Sequence, residues 1–468
     1  MTAHAPRHAR TGDARTRAAE VLTRVETDDA FAAAALNTSL DATLDGGAAL
    51  DARDRALATE LVYGVLRTAP ALDEALSRHA RDGAASVARL DPWTRAVLRV
   101  ATYQILALAR VPVHAAVGAA VEAVKRSRTP KLAGFANAVL RKIAADRPDP
   151  LPDDARVALA LRVVPREVRR RVSEVLGEAG AEGFLRAALG GDDAVVLRVH
   201  THRATRDEVI ERLRVELPNA TVTAGRVSPL AVRVSGGGDP TRTEVYRAGL
   251  AGVQEEAAQC VALMAEISPG ATVLDACAGR GGKSVVAAMS LRGSGALHAV
   301  DLHPEKLQRM RDELTRLGLD AGLDVFTAGA DLTRGVGGIA ARAPERGYDA
   351  VLVDAPCSGL GTLGHRPDLL ARLRDRAAWS GLVETQSAIL ETASTRVAPG
   401  GVLVYAVCTL TKPEGDTVVE RFLDAHKDFS AVEGSASLPA RLRPARVVLD
   451  AATDGTDGFM AWRLRRGP

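Results

Sequence analysis

Two cysteines of this sequence each follow an apolar run that is typical of a buried strand. The run Ala350–Val353 leads into Asp354 and then Cys357. The run Val402–Ala406 leads, after one residue, into Cys408. Consecutive parallel strands on one side of a switch point usually lie adjacent, and ligands bind beyond their carboxyl ends. We therefore expect the two thiols and the carboxylate to converge at a ligand crevice. The alternative is that the thiols are small core residues.

Two thiols and a carboxylate at one site fit the methylation of a pyrimidine at C5. That carbon is a poor nucleophile, and a thiolate that adds to C6 makes it reactive. An acid near N3 stabilises the charge that develops, and a base then removes the C5 proton so that the adduct breaks down. Covalent catalysis accounts for one cysteine, and the acid–base steps account for Asp354 and the second thiol. The residues alone do not decide which thiol attacks.

A glycine-rich turn lies between a predicted strand and a predicted helix in the segment Val273–Ser284. Its glycines allow the backbone to approach a ligand closely. A phosphate loop of the nucleotide triphosphatase kind is disfavoured, because that motif requires glycine at the position of Cys277. Asp301 and Asp331 follow the next two predicted strands, where carboxylates can bind ribose hydroxyls or face an adenine edge. The pattern indicates an adenosine-containing cofactor, either a dinucleotide or S-adenosylmethionine.

The elements that position these residues fall into three predicted domains. The chain has 468 residues, of which 47% are hydrophobic and 25% charged, as in a folded globular protein of about two to four domains. Residues 1–148 have helical periodicity and predict a helical bundle. Residues 155–240 predict a small α+β domain. Residues 250–468 alternate strands with helices, which predicts an α/β domain built on a parallel sheet.

An arginine-dense segment opens the second predicted domain. The sequence predicts one helix over Arg162–Arg171, which contains five arginines and one glutamate. Such a run is commonly a solvated helix face, and the alternative is a surface that contacts phosphates. Short strands are predicted within Ala194–His200 and Thr221–Val234, on either side of a helix over Arg206–Leu217.

Composition weighs against several other classes of protein. The formal net charge of +3 is too small to indicate a nucleic-acid partner by itself, and 3% aromatic residues disfavour a stacking platform for single strands. The four cysteines form no CxxC or Cys/His pair, so no metal site is expected. No apolar run is long enough to cross a bilayer, and the N-terminus has no secretory signal. These observations predict a cytoplasmic protein.

Several motifs resemble those of a known family. The segments DACAGRGGKS, DAPCSGLG and YAVCTLTKPEG are similar to motifs of the Sun-type RNA cytosine-C5 methyltransferases, which include bacterial enzymes that act on 16S ribosomal RNA. The segments DRALATELVYGVLR and LAGFANAVLRKI resemble the NusB-like RNA-binding domain of those bacterial enzymes. The resemblance covers nearly the whole chain. It implies an all-α NusB-like N-terminal domain, a small α+β domain and a Rossmann-like domain that uses S-adenosylmethionine.

The resemblance also implies roles for individual residues. It implies that Cys408 is the nucleophile and that Cys357 assists proton removal and release, beside the catalytic Asp354. The implied substrate is 16S ribosomal RNA, unfolded or partly assembled, because the target base must leave its stack. The C-terminal GFMAWRL resembles the closing strand of the family. The implied cofactor-binding residues are Cys277, Ala278, Gly279, Arg280, Gly281, Gly282, Lys283, Asp301, Asp331 and Asp354.

The chain departs from the family pattern at several positions. Gly279 and Arg280 replace an Ala-Pro pair, and Arg280 could pair with the carboxylate of the cofactor's methionine. Val407 replaces the threonine before the implied nucleophile, and Glu255 occupies an aspartate position. The change at Gly279 and Arg280 motivates a second hypothesis, a non-catalytic RNA-binding factor with a degenerate methyltransferase domain. A third hypothesis, an NAD-dependent oxidoreductase, leaves the two cysteines unexplained.

Overall fold

The structure, a computed structural model, describes residues 13–28, 32–41, 50–191, 194–366 and 368–468. The described residues divide into two compact units. The helical unit comprises the described residues up to Arg166 together with those of His365–Arg374. The sheet unit comprises the described residues of Glu167–Gly364 and Asp375–Pro468.

The helical unit is built from helices, as the periodicity predicts. Asp91 begins one of them, because its carboxylate accepts a hydrogen bond from the backbone N–H of Thr94 at 3.0 Å and Pro92 occupies the first turn. The helices are α1 (Ala14–Thr27), α2 (Ala32–Asp41), α3 (Ala52–His79), α4 (Ala84–Ala88), α5 (Pro92–Ala107), α6 (Val113–Lys125), α7 (Ala133–Asp146) and α8 (Ala155–Arg162).

The core of the helical unit is apolar and closely packed. Leu98 of α5 and Leu140 of α7 are completely buried in it. The ring of Tyr103 lies against Gly64 of α3, where an added Cβ would come within 2.1 Å of the ring. The Tyr103 hydroxyl donates a hydrogen bond to Glu60 at 2.6 Å. The approach of α5 to α3 therefore requires a residue without a side chain at position 64.

A small antiparallel sheet forms the first part of the sheet unit. Its strand order is β2-β3-β1-β4, and each neighbouring pair is antiparallel. Thr205 begins α10 with a reciprocal capping box to Glu208. The elements are α9 (Arg166–Gly190), β1 (Val195–Val199), α10 (Arg206–Glu216), β2 (Ala220–Ala224), β3 (Ala231–Gly236), α11 (Glu244–Arg247) and β4 (Ala251–Val253).

The prediction of a single helix over Arg162–Arg171 is wrong. Arg162 ends α8, and α9 begins only at Arg166. Pro165 explains the break, since proline lacks a backbone N–H and disfavours the helical conformation of the residue before it. Within α9, Arg170 forms ion pairs with Glu167 and Glu174. The arginine-dense face of this helix is thus partly neutralised by its own glutamates.

A large mixed sheet forms the rest of the sheet unit. Its strands lie in the order β10-β12-β9-β8-β5-β6-β7, and β11 also pairs with β12. The elements are α12 (Glu256–Leu263), β5 (Thr272–Asp275), α13 (Gly282–Leu291), β6 (Ala296–Asp301), α14 (Pro304–Leu317), β7 (Asp324–Gly329), β8 (Tyr348–Asp354), α15 (Leu369–Arg372, in the helical unit), α16 (Leu382–Ser394), β9 (Val397–Val407), α17 (Asp416–Ala425), β10 (Phe429–Ala431), β11 (Arg446–Leu449) and β12 (Phe459–Arg466).

The alternation of strands and helices predicts a parallel sheet, and this prediction is confirmed for the centre of the large sheet. Strands β7, β6, β5, β8 and β9 are parallel, whereas β12 runs antiparallel to β9. The edge beyond β9 departs from the prediction because β12 follows β11 without a helix between them, so β12 can run antiparallel to its neighbours. Strands β8 and β9 are neighbours, with Asp354 paired to Ala406. The segments carrying Cys357 and Cys408 therefore leave the same edge of the sheet.

Candidate active site

The glycine-rich turn connects β5 to α13 at the carboxyl edge of the sheet. Gly281 has a φ of 83° and immediately precedes α13. An added Cβ there would lie 2.0 Å from Cγ of Met310, so close packing on α14 and the backbone conformation both require glycine. Gly279 has a φ of 55°, but an added Cβ would meet nothing within 4 Å. The turn thus has one packed side and one open side.

Two of the predicted acidic residues follow neighbouring strands. The Asp301 carboxylate at the end of β6 accepts hydrogen bonds from the backbone N–H groups of Gly279 and His303, each at 2.9 Å. Asp331 follows β7 and accepts from the backbone N–H of Thr333 at 3.0 Å and from its hydroxyl at 2.6 Å. These hydrogen bonds lower the pKa of Asp331 below its ordinary value. Asp301 is therefore tied to the glycine turn, whereas Asp331 bonds within its own turn.

Lys283 and Asp354 form an ion pair across the crevice. Lys283 Nζ lies 2.6 Å from Oδ2 of Asp354 and 5.2 Å from the centre of the Phe459 ring. The Lys283 side chain is 8% exposed and that of Asp354 is 29% exposed. Burial acts to lower the pKa of Lys283, but the Asp354 carboxylate outweighs it and raises that pKa. The lysine is therefore held as an ammonium ion at the carboxyl end of β8.

Asp275, at the end of β5, is a completely buried acid beside this pair. Ser284 of α13 donates a hydrogen bond to its Oδ2 at 2.6 Å, whereas its Oδ1 is buried without a hydrogen-bond partner. Burial raises the pKa of Asp275 to about 6. Burial also raises the pKa of the nearby Cys277 thiol above its ordinary value. The carboxylate of Asp275 therefore keeps one buried oxygen without a hydrogen bond of ordinary geometry.

The structure brings the two cysteines into contact. Sγ of Cys357 lies 3.2 Å from Sγ of Cys408. The hydrogen bond to Cys408 is the largest influence on the Cys357 thiol, followed by burial and by the negative charges of Glu414 and Asp354, and together they raise its pKa well above the ordinary value. Cys357 is thus held in the neutral thiol form next to Cys408.

Polar side chains that sequence reasoning missed connect the two cysteine loops. The Glu414 carboxylate accepts a hydrogen bond from the backbone N–H of Ser358 at 2.8 Å. The hydroxyls of Ser358 and Thr409 are 2.8 Å apart. Gln386 of α16 donates to the carbonyl of Pro356 at 2.9 Å. Glu414 belongs to the segment YAVCTLTKPEG, but nothing in its residue types signals that a glutamate there would reach the other loop.

The positions that depart from the family pattern have different surroundings. Arg280 is exposed at the glycine turn, and Val407 is completely buried at the end of β9. Glu255 precedes α12, and its carboxylate accepts hydrogen bonds from the backbone N–H of Ala257 at 2.6 Å and of Asp457 at 2.9 Å. Glutamate therefore serves at this position as a helix cap that also fixes the segment before β12.

Two further searches concern metals and membranes. In the part of the chain that the structure describes, no three His, Cys, Asp or Glu side chains are grouped so that they could hold a metal ion. Among the described helices, none combines the length and the apolar character that a membrane span requires.

Comparison with known proteins gives the family context of both units. Residues 12–145 match the model of the NusB family, and residues 262–465 match the model described as 16S rRNA methyltransferase RsmB/F. A probable ribosomal RNA small subunit methyltransferase B of Bacillus subtilis is 30% identical, over 96% of this chain and 98% of its own length. The ribosomal RNA small subunit methyltransferase B of Xylella fastidiosa is 33% identical, over 88% of this chain and 92% of its own length.

A solved structure shares the whole fold. The crystal structure of PH0851 superposes with a TM-score of 0.77 at 23% identity, and the match covers 98% of this chain and 100% of that one. The fold therefore combines a NusB-like helical domain, a small sheet domain and an α/β methyltransferase domain. The matched family is one of methyltransferases of the S-adenosylmethionine-dependent kind.

Proposed function

This chain belongs to the RsmB/F family of S-adenosylmethionine-dependent ribosomal RNA methyltransferases, and on that premise we propose that it methylates C5 of a cytosine in 16S ribosomal RNA through a covalent bond between Cys408 and C6. The observation that carries the proposal is the 3.2 Å separation of the Cys357 and Cys408 sulfur atoms at the carboxyl ends of two adjacent parallel strands. The proposed reaction uses two thiols in different roles, and this site offers two.

In the proposed reaction the Cys408 thiolate forms a bond to C6, and the electrons of the C5–C6 double bond make C5 nucleophilic. In this proposal the Lys283–Asp354 pair faces the pyrimidine. The ammonium of Lys283 stabilises the negative charge that develops at N3, and the proton that N3 takes up passes from that ammonium through Asp354. C5 then attacks the methyl group of the donor, whose S–CH3 bond breaks to leave a neutral thioether. Cys357, once deprotonated, takes the C5 proton, and N3 gives its proton back. The electron pair of that C–H bond restores the double bond and expels the Cys408 thiolate.

S-Adenosylmethionine supplies the methyl group in this proposal. The open side of the turn at Gly279 leaves room for a ligand, and the N-terminus of α13 favours a carboxylate. The unsatisfied Oδ1 of Asp275 fits a positively charged donor at the base of the crevice. The proposed binding residues are Cys277, Ala278, Gly279, Arg280, Gly281, Gly282, Lys283, Asp301, Asp331 and Asp354.

Asp301 is suited to hold the ribose. Its two carboxylate oxygens each accept one backbone hydrogen bond, from Gly279 and from His303, and each carboxylate oxygen has capacity for a second donor. The contacts fix the carboxylate at the end of β6 while leaving acceptor capacity for two hydroxyl groups. We propose that Asp331, at the end of the neighbouring strand, faces the adenine edge.

We further propose a division of labour for RNA recognition. Residues 1–148 would bind RNA as a NusB-like domain, residues 155–240 would form an extension that contacts RNA, and residues 250–468 would carry the chemistry. The match of residues 12–145 to the NusB family supports the first assignment. The target cytosine must leave its stack to reach Cys408, which favours unfolded or partly assembled RNA as substrate.

The first test is substitution of the proposed nucleophile. Cys408→Ala should abolish methylation of 16S ribosomal RNA, measured as 5-methylcytidine by nucleoside mass spectrometry. Cys260→Ala is the matched control, because Cys260 is a buried thiol of α12 and should leave the methylation rate unchanged. Full activity of Cys408→Ala would reject the proposed mechanism.

The second test concerns the release step. In Cys357→Ala the adduct should form but fail to resolve, so that a protein–RNA complex accumulates on a denaturing gel. Absence of a retarded RNA band, with wild-type chain active under the same conditions, would contradict the role of Cys357.

The alternative function is that of a non-catalytic RNA-binding factor, favoured by the exposed Arg280 where the family has proline. It predicts RNA binding without cofactor binding. Titration calorimetry with S-adenosylmethionine separates the two functions, since heat of binding at a single site supports the enzyme and its absence supports the factor.

A further inference from the structure

The Glu414 carboxylate is a buried acceptor that receives donors from three different segments. Glu414 is 2% exposed and lies in the turn between β9 and α17. Its Oε2 accepts from the backbone N–H of Ser358 at 2.8 Å and from Nε2 of Gln386 at 3.1 Å. Its Oε1 accepts from the hydroxyl of Thr411 at 2.9 Å. A buried carboxylate with three donors has a defined position, because losing any of them would cost free energy.

These donors belong to the loops that carry the two thiols. Ser358 directly follows Cys357, and Thr411 lies in the segment that follows Cys408. Gln386, completely buried on α16, uses the same amide nitrogen to hold the carbonyl of Pro356 at 2.9 Å. The backbone on both sides of Cys357 is thus tied, directly or through Gln386, to the carboxylate.

We propose that Glu414 is a positioning residue that sets the separation of the Cys357 and Cys408 sulfur atoms. This inference deepens the proposed function and rests on it for its catalytic meaning. Glu414 touches neither thiol in a hydrogen bond, and it acts through Ser358, Gln386 and Thr411. Without it, the two loops keep the Ser358–Thr409 hydroxyl contact and the hydrogen bond from the backbone N–H of Gly361 to the carbonyl of Cys408 at 3.0 Å. Neither of these contacts holds the backbone on both sides of Cys357.

Substituting glutamine for Glu414 removes the negative charge but keeps the length of the side chain and its ability to hydrogen-bond. In Glu414→Gln the side-chain oxygen can still accept from Ser358 and Gln386, and the new NH2 group can donate to the hydroxyl oxygen of Thr411, which accepts as well as donates. In Glu414→Ala every one of these contacts is lost. If position is what matters, glutamine should rescue the effect of alanine.

The decisive experiment measures thiol proximity in the full-length chain without RNA or cofactor. Diamide oxidises two adjacent thiols to a disulfide: each sulfur loses a proton, the pair loses two electrons, and diamide is reduced to its hydrazine. The rate of Cys357–Cys408 cross-linking is followed by mass spectrometry of the linked peptides. We expect Glu414→Gln to cross-link within about threefold of the wild-type rate and Glu414→Ala at least about tenfold more slowly.

Matched variants make the result interpretable. Glu420→Ala removes an exposed glutamate of α17 and should cross-link like the wild-type chain. If Glu414→Ala does not fold, Gln386→Leu provides the second variant, because it removes the hydrogen bonds to Glu414 and Pro356 at similar volume and should also slow cross-linking. In methyl transfer, Glu414→Ala should lower kcat with KM for the cofactor unchanged, and glutamine should restore kcat.

The outcomes distinguish this inference from the proposed function. If the wild-type chain cross-links but does not methylate RNA, the proposed function is rejected, and with it the catalytic meaning of Glu414. Slow cross-linking in Glu414→Ala would still support the positioning role of Glu414. Cross-linking of Glu414→Ala at the wild-type rate would overturn the inference, even if the wild-type chain methylates RNA. Failure of the wild-type thiols to cross-link would overturn it as well.

Discussion

The interior of the helical unit and the crevice of the sheet unit bury different kinds of side chain. Among the described residues of the helical unit, the fully buried polar side chains are uncharged, namely Thr68, Thr94, Thr102 and Gln104. At the carboxyl edge of the large sheet, Asp275, Lys283 and Glu414 are all buried, and each is 7% exposed or less. Buried charges cost free energy unless they are paired or hydrogen-bonded. The sheet unit also buries charged side chains away from this edge, such as Arg198 and Glu256, which are each 2% exposed or less. Among the described residues, the sheet unit therefore accepts a cost that the helical unit avoids.

The largest effect should follow from breaking the ion pair in the crevice. Lys283→Met keeps the apolar stem but removes the ammonium, which leaves Asp354 and the buried Asp275 without their cation. We expect the free energy of unfolding to fall by about 3–5 kcal/mol, as for other broken buried pairs, and cofactor binding to be lost. Urea unfolding and titration calorimetry measure the two effects.

An exposed lysine provides the control for this prediction. Lys427 pairs with Asp424, but its side chain is 75% exposed. Lys427→Met should change the free energy of unfolding by less than about 1 kcal/mol, because exposed ion pairs contribute little. Equal destabilisation by the two lysine variants would refute the distinction between crevice and surface.

In the helical unit the largest effect should come from packing alone. Leu98→Ala removes a completely buried side chain from the core and should lower the free energy of unfolding by about 3 kcal/mol. Its affinity for S-adenosylmethionine in the folded state should equal that of the wild-type chain. Val215→Ala, at a position 81% exposed, is the control and should change stability by less than about 0.5 kcal/mol. A loss of cofactor affinity in Leu98→Ala would show that packing in the core of the helical unit influences cofactor binding in the sheet unit.

The two regions also differ in how much of them the sequence could predict. Helical periodicity was sufficient to predict the helical bundle over residues 1–148, because apolar stripes and local caps such as Asp91 decide those helices. The adjacency of β8 and β9, which brings Cys357 near Cys408, followed from the rules for parallel sheets. Both predictions depend on patterns that lie within one segment or on general topology.

What the sequence could not predict depends on contacts between distant segments. Lys283 was assigned to the glycine turn, and its pairing with Asp354 appears only once β5 and β8 are neighbours. Glu414 and Gln386 carry no recognisable pattern, because their partners lie on other loops. The antiparallel edge was missed for a related reason: the pairing of β12 with β9 is non-local.

Two aspartates, one in each unit, should contribute to the free energy of unfolding with opposite dependences on pH. Burial raises the pKa of Asp275 to about 6, so its ionised form destabilises the folded chain. At Asp91 burial also opposes ionisation, but hydrogen bonds from Thr94 and Thr129 outweigh it and lower the pKa. Ionised Asp91 therefore stabilises the folded chain above the unfolded pKa of about 4, and this contribution is lost as the pH falls through the lowered folded pKa.

Asparagine variants measured against pH test this contrast. Between about pH 4 and pH 6 the native chain binds more protons at Asp275 than the unfolded chain does, so the cost of Asp275 grows as the pH rises. Asp275→Asn should therefore gain stability relative to wild type across that window, by up to about 2 kcal/mol. Asp91→Asn should be less stable than wild type at neutral pH, and the difference should vanish in acid. If urea unfolding shows that the stability of both variants relative to wild type changes in the same direction with pH, the opposite pKa shifts of Asp275 and Asp91 would be contradicted.

The smallest effect should come from a helix cap on the surface of the helical unit. Asp51 begins α3, and its exposed carboxylate accepts a hydrogen bond from the backbone N–H of Asp54 at 2.7 Å. Asp51→Ala leaves that N–H to water and should lower the free energy of unfolding by about 1 kcal/mol, whereas Asp51→Asn keeps an acceptor and should lose less. Thermal unfolding of both variants measures the difference. Because the cap is far in sequence from every crevice residue, kcat for methyl transfer at a temperature where the chain is fully folded should be unaffected. Any loss of kcat would mean that the helical unit contributes more than packing to the reaction.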